Sequence, residues 1–134
     1  MKHILKLEDG RIEPIRDLMK SDKEFALRRI LVDEEIGGAK HLTFGYARFD
    51  PKTSYHKKHT HPNAEEVFYV LAGKGIGGVG AGSEEVEIVE GDTVWVPQGA
   101  VHWLYNPFDD PCEILFLYTA PSLAAAGYVV VKDD

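Results

Sequence analysis

His59-Thr60-His61, Glu66 and His102 are the residues of this chain whose types and spacing suit metal chemistry. Three imidazole nitrogens and one carboxylate oxygen make a donor set for a divalent transition metal: Mn, Fe, Co, Ni, Cu or Zn. Four protein ligands leave one or two positions open on a six-coordinate ion, where substrate, water or dioxygen binds. Residues two apart on a strand share a face, so His59 and His61 aim into one space. Glu66 follows the turn His61-Pro62-Asn63 and leads the apolar run Val67-Phe68-Tyr69-Val70-Leu71. His102 comes after the turn Pro97-Gln98-Gly99 and must arrive from a neighbouring strand.

The elements that position these groups are short. Glycine and proline recur between runs rich in Val, Ile, Phe, Tyr and Thr, a pattern of strands and tight turns that predicts a sandwich or barrel. The expected strands are Phe25–Val32, His41–Phe49, Val67–Ala72, Gly75–Gly80, Glu85–Val89, Thr93–Pro97, His102–Asn106 and Glu113–Ala120. Within the 79–91 hairpin, Val86 and Ile88 should share one face and Glu85 and Glu87 a solvated one. Helix is scarce: one or two turns over Ile15–Lys20 after Pro14, and a short one over Ser122–Ala126. Residues 1–39 read as an N-terminal flanking arm of the same domain, 40–120 as the barrel and 121–134 as a C-terminal tail.

With 134 residues, 44% hydrophobic and 28% charged, the chain has the composition of one soluble globular domain. A net charge of -7 argues against a nucleic-acid partner, which demands a basic face. No apolar run suits a signal peptide or a membrane span, and the lone Cys112 forms no internal disulfide, so a cytoplasmic location is expected.

The two clusters together resemble the paired motifs of the cupin superfamily. His59, His61, Glu66 and Gly73 match the first motif, and Gly91, Pro97, Gly99, His102 and Asn106 match the second without a gap. The opening glycine of the first motif is absent, its place taken by Lys52 or Thr53 at the rim of the pocket. The resemblance implies an all-β fold, a double-stranded β-helix or jelly-roll, with one divalent metal per subunit bound by His59, His61, Glu66 and His102. It also implies a homodimer and a small-molecule ligand or substrate. The six-residue count to Gly73 selects Glu66 over Glu65, which becomes an outward neighbour. Gly73, Gly91, Pro97 and Gly99 would shape turns, and Asn106 would pin a loop through hydrogen bonds.

Around this set the residues leave alternatives open. Arg48 and Lys57 are either anchors for a substrate carboxylate or phosphate, or solvated charges at a barrel edge. Phe68 shares parity with Glu66 and lines either cavity or core. Tyr46 and Tyr55 are candidates for an acid/base hydroxyl. His56 is read as a solvated loop residue, His3 and His41 as ordinary, and Cys112 as inert. The expected function is a metal-dependent enzyme acting on a sugar derivative or carboxylate, by isomerase, epimerase, cyclase or lyase chemistry. An Fe(II) dioxygenase and a non-catalytic, metal-anchored binding protein are the alternatives, since fold does not select the reaction. One barrel argues against the two-domain oxalate-degrading cupins.

Overall fold

The computed structural model describes residues 3–17, 23–52 and 58–131. Thr53, Tyr55, His56 and Lys57 lie outside the described residues. The β-branched and aromatic runs form β1 (Arg11–Asp17), β2 (Lys23–Val32), β3 (Thr43–Phe49), β4 (His59–Thr60), β5 (Glu66–Ala72) and β6 (Lys74–Val79). They continue as β7 (Val86–Val89), β8 (Thr93–Val96), β9 (His102–Tyr105), β10 (Cys112–Tyr118) and β11 (Val129–Val130). Every expected strand is present, with small shifts at its ends. Two antiparallel sheets face each other in the expected jelly-roll: a six-stranded one ordered β1-β2-β3-β10-β5-β8 and a five-stranded one ordered β11-β4-β9-β6-β7.

Period-two alternation sorts the side chains. In β10, Cys112, Ile114, Phe116 and Tyr118 are buried while the residues between them are only partly so. Phe116 lies opposite Phe68 of β5, and both join Ile30, Ala47, Phe49, Val70, Ile88, Val96 and Leu104 in one core. Each fully buried side chain of this size contributes about 1.5–3 kcal/mol. The β5–β6 turn needs Gly73, whose φ is +73° and whose added Cβ would lie 2.1 Å from the Pro111 carbonyl oxygen.

Several expectations change. Ile15–Asp17 are not helical: they belong to β1 and pair with β2 across a bulge at Ile15/Arg16, while residues 18–20 lie outside the described residues. Pro14 is tolerated there because β1 is the sheet edge. Within the expected N-terminal arm, β2 pairs with β3 and so adds to the barrel sheet. Ile88 is buried, but Val86, on the edge strand β7, is exposed. Glu85 is more than a solvated carboxylate: it accepts hydrogen bonds from Trp103 Nε1 at 3.0 Å and Tyr105 OH at 2.8 Å, holding the 80–85 loop onto the sheet. The short helix α1 (Leu123–Ala126) forms as expected, capped by Ser122 Oγ accepting from Ala125 N. No helix among the described residues is long and apolar enough to cross a membrane.

Candidate metal centre

The two motif turns bring the histidines together. β4 pairs with β9 so that His59 stands opposite His102, and Gly99 N, in the turn after Pro97, donates to the His61 carbonyl at 3.1 Å. Glu66 opens β5 between Val96 of β8 and Tyr118 of β10. His59, His61, Glu66 and His102 are all buried. One ring nitrogen from each of the three histidines lies within 4.8 Å of the others. Glu66 Oε1 stands 2.9 Å from His102 Nε2 and 3.5 Å from His61 Nε2.

The ring orientations are held from behind. His61 Nδ1 donates to the Gly127 carbonyl at 2.7 Å, and His102 Nδ1 to the Ala100 carbonyl at 3.1 Å. In that tautomer each Nε2 turns a lone pair toward the Glu66 oxygen. His61 Nε2, His102 Nε2 and Glu66 Oε1 are shielded from solvent and lack the alignment of a hydrogen bond, even at 2.9 Å. Buried acceptors facing one another repel unless a cation lies among them or the rings take a second proton. The donor set therefore fits a divalent metal. Burial pushes the Glu66 carboxyl up; hydrogen bonds and positive charge from His102 and His61, when these rings take a second proton, outweigh it and hold the carboxyl at about 2, and a cation among the three groups would keep it ionised in the same way.

Two tyrosines that sequence reasoning passed over complete the surroundings. Tyr118 meets His61 edge-on, with ring centroids 4.7 Å apart. Burial, and then the Glu66 charge, push its phenol well above the ordinary value, so it keeps its proton. Its inward parity with Ile114 and Phe116 was the signal that could have found it. Tyr128 stacks on His59 at 4.7 Å and is 54% exposed, forming a wall at the mouth of the site. It arrives on the C-terminal segment, where Gly127 has φ +81° and β11 pairs with β4. No local pattern announces that return.

The remaining candidates divide by strand face. Phe68 lies inward beside Glu66 and is buried in the core. Tyr46 and Arg48 do not reach the histidines. They share the face of β3 opposite to Ala47 and Phe49, and so stand outside the barrel. Tyr46 OH donates to Glu113, and Arg48 Nε lies 3.5 Å from Asp50. Burial and the Glu113 carboxylate push the Tyr46 phenol up to about 12, which does not suit a base. Tyr55 and Lys57 lie outside the described residues. Glu65 is exposed and accepts from Trp95 Nε1 at 3.0 Å. Cys112 is buried, and its thiol is pushed up to about 11 by burial and the Glu113 charge. Asn106 does pin a loop: its Nδ2 donates to the Phe49 and Asp110 carbonyls and its Oδ1 accepts from Phe108 N.

Comparison with known proteins agrees with this architecture. A family model described as "Cupin domain" matches residues 45–118. Germin-like protein 3-8 of Oryza sativa subsp. japonica is 32% identical over 81 residues, 57% of this chain. Uncharacterized protein MJ1618 of Methanocaldococcus jannaschii is 29% identical over 114 residues, 84% of this chain. The chain spans 36% of the length of the rice protein and 83% of the archaeal one. Among solved structures, the polyketide cyclase RemF from Streptomyces resistomycificus superposes with a TM-score of 0.76 at 18% identity, covering all of this chain and 88% of that one. A predicted oxalate decarboxylase from Thermotoga maritima gives 0.73 at 21% identity, covering 88% of this chain and 99% of that one.

Proposed function

This chain belongs to the cupin family, and from that premise we propose that it is a metal-dependent enzyme acting on a small polar metabolite, a sugar derivative or a carboxylate. The observation that carries the reading is the convergence of three buried, unpartnered acceptors, Glu66 Oε1, His61 Nε2 and His102 Nε2, beside His59. His59, His61, Glu66 and His102 would hold one divalent transition-metal ion per subunit, which when bound supplies Lewis-acid polarisation of a substrate oxygen. The Gly127 and Ala100 carbonyls fix the tautomers of His61 and His102. Protonated Tyr118 directs its hydroxyl at the Glu66 carboxylate and packs edge-on against His61, so it would help hold both side chains in place. Tyr128 narrows the mouth, and Phe68 keeps water from the floor.

An isomerase, epimerase, cyclase or lyase step fits this equipment. The structural neighbours are described as a cyclase and a predicted decarboxylase, so fold does not choose among the reactions. A non-catalytic, metal-anchored binding protein is the second reading. It is favoured by one observation: Tyr118 titrates upward and Glu66 downward, both away from the neutral range that suits a general base. A homodimer is supported by the exposed apolar Tyr69, Leu71 and Trp95 on the outer sheet face.

Elemental analysis of the purified protein, beside a metabolite-pool incubation with and without chelator, tests the reading. About one equivalent of metal and a chelator-sensitive change in the pool are expected. A metal-free protein whose melting is indifferent to added Mn, Fe, Co, Ni, Cu or Zn would sink it. Bound metal with a metabolite retained but unchanged favours the binding protein.

A further inference from the structure

The segment from Gly127 to Val131 runs back along the one that carries His59 and His61. Val129 stands opposite Thr60 and Val130 opposite His59, and Val131 N donates to the Lys58 carbonyl at 2.9 Å. The Gly127 carbonyl accepts from His61 Nδ1 at 2.7 Å, and the Tyr128 ring lies over the His59 ring, 27° from parallel. β11 thus gives the two-residue strand β4 its second ladder partner, since on the other side His59 pairs with His102. One strap therefore holds two of the three clustered imidazoles.

That strap is fixed at one end and lightly held at the other. Its root is Ala126, fully buried at the end of the Ser122-capped α1, with its carbonyl accepting from Asn63 N at 3.0 Å. Beyond the root, Tyr128, Val129 and Val130 are 54%, 52% and 39% exposed. Lifting them uncovers little further apolar surface, whereas moving β10 would expose Ile114, Phe116 and Tyr118. Segments with few buried apolar contacts open locally while the rest of a fold stays closed. Gly127 joins the two parts at φ +81° and ψ 159°, a conformation essentially reserved for glycine. Rotation there carries the Gly127 carbonyl, Tyr128 and β11 away together while Ala126 stays in the core. The motif side chains beneath, His59, His61, Glu66 and His102, are each at most 6% exposed, so a ligand reaches them when a covering element moves. Among the described residues, the strap is the cover whose movement costs least.

We propose that residues 127–131 form a hinged gate over the metal centre: docked, they position His59 and His61, and swung out at Gly127 they admit the ligand. The assignment rests on the metal-site reading above and adds the regulation of that site. Loading and closure reinforce each other. His61 donates more strongly through Nδ1 when its Nε2 holds a cation, so a loaded site favours the docked strap. By linkage, the docked strap tightens loading by the same factor.

The test places a removable lock across the gate. Thr60→Cys with Val129→Cys sets two thiols on cross-strand partners, neither of them a motif residue. On the metal-free full chain, modification of His59 by diethyl pyrocarbonate is followed by mass spectrometry, with exposed His41 as the reference. Closing the disulfide should slow His59 modification about 10-fold or more, because a costlier opening is then required, and dithiothreitol should restore the rate. His41 should react equally in both forms. Tyr128→Ala should speed His59 modification severalfold, the loss of one ring–ring contact, and Tyr128→Phe should recover most of the parental rate. In Co(II)-loaded protein, extraction of the metal by a chelator should follow the same order, fastest in Tyr128→Ala and slowest in the oxidised lock. Equal His59 rates in the oxidised and reduced lock overturn the gate. Should the disulfide not form or the pair not fold, an unchanged His59 rate in Tyr128→Ala overturns it. A parent that takes up no cobalt defeats the metal reading alone, since His59 modification is scored without metal. Cobalt that is bound but released equally fast from both lock forms overturns the gate and leaves the metal reading standing.

Discussion

Glu65 and Glu66 are adjacent in sequence and opposite in circumstance. Glu65 lies exposed and holds the indole of Trp95. Glu66 is buried, 2.9 Å from one imidazole nitrogen and 3.5 Å from another. The same division runs across the whole six-stranded sheet. Its outer face carries Tyr46 hydrogen-bonded to Glu113, together with Arg48 and exposed Tyr69 and Leu71. Its inner face carries Glu66, Phe68, Tyr118 and Arg28. One residue of register separates structural chemistry from site chemistry, because successive strand side chains leave opposite faces of the sheet.

The sharpest way to break this contrast is to remove one group from each face. His102→Ala should weaken divalent-metal binding by more than about 100-fold, since losing even a partner behind a ligand costs 10–100-fold. Glu65→Gln should leave it unchanged. Competition with a chromophoric chelator measures both, and equal losses would dissolve the distinction. A smaller effect is expected at Gly127, whose φ of +81° and 2.9 Å clearance to Pro62 exclude a side chain. Gly127→Ala should displace the carbonyl that receives His61 Nδ1 and weaken metal binding by about 10-fold. An unaltered chelator competition would show that His61 is oriented without it.

The smallest effect belongs to the outer face. Tyr46→Phe should cost about 1 kcal/mol in urea denaturation at neutral pH and leave metal binding untouched. Burial and Glu113 raise the folded phenol from 10.0 to about 12, above its unfolded value. The contribution is therefore complete below pH 10 and lost as pH rises toward 12. The stability gap between parent and Tyr46→Phe should close across that window. A gap that stayed constant would mean that the phenol's proton does not stabilise the folded state.

Much of the barrel was legible because its signals are local. Turn glycines and prolines at fixed offsets from His59, His61 and His102 announce where strands end, and two-residue alternation announces which side chains share a face. The failures are instructive for the same reason. Ile15–Asp17 follow a proline in a manner that suits a helix start, yet pairing with β2 made them strand. Arg48 and Arg28 look alike in sequence, and parity is known only relative to a neighbour. Pairing of β2 and β3 in one register turned Arg28 inward and Arg48 outward.

By itself the sequence determined that the chain would be a small all-β barrel, and it identified the three histidines that meet in the interior, because spacing along a strand and the φ demands of tight turns are properties of neighbouring residues. Only the tertiary structure decided what stands around them. The Gly127 carbonyl and the Tyr128 ring reach His61 and His59 from more than sixty positions away in the chain. Such contacts are selected by long-range strand pairing and by the burial of polar atoms that must find partners, and no periodicity encodes them.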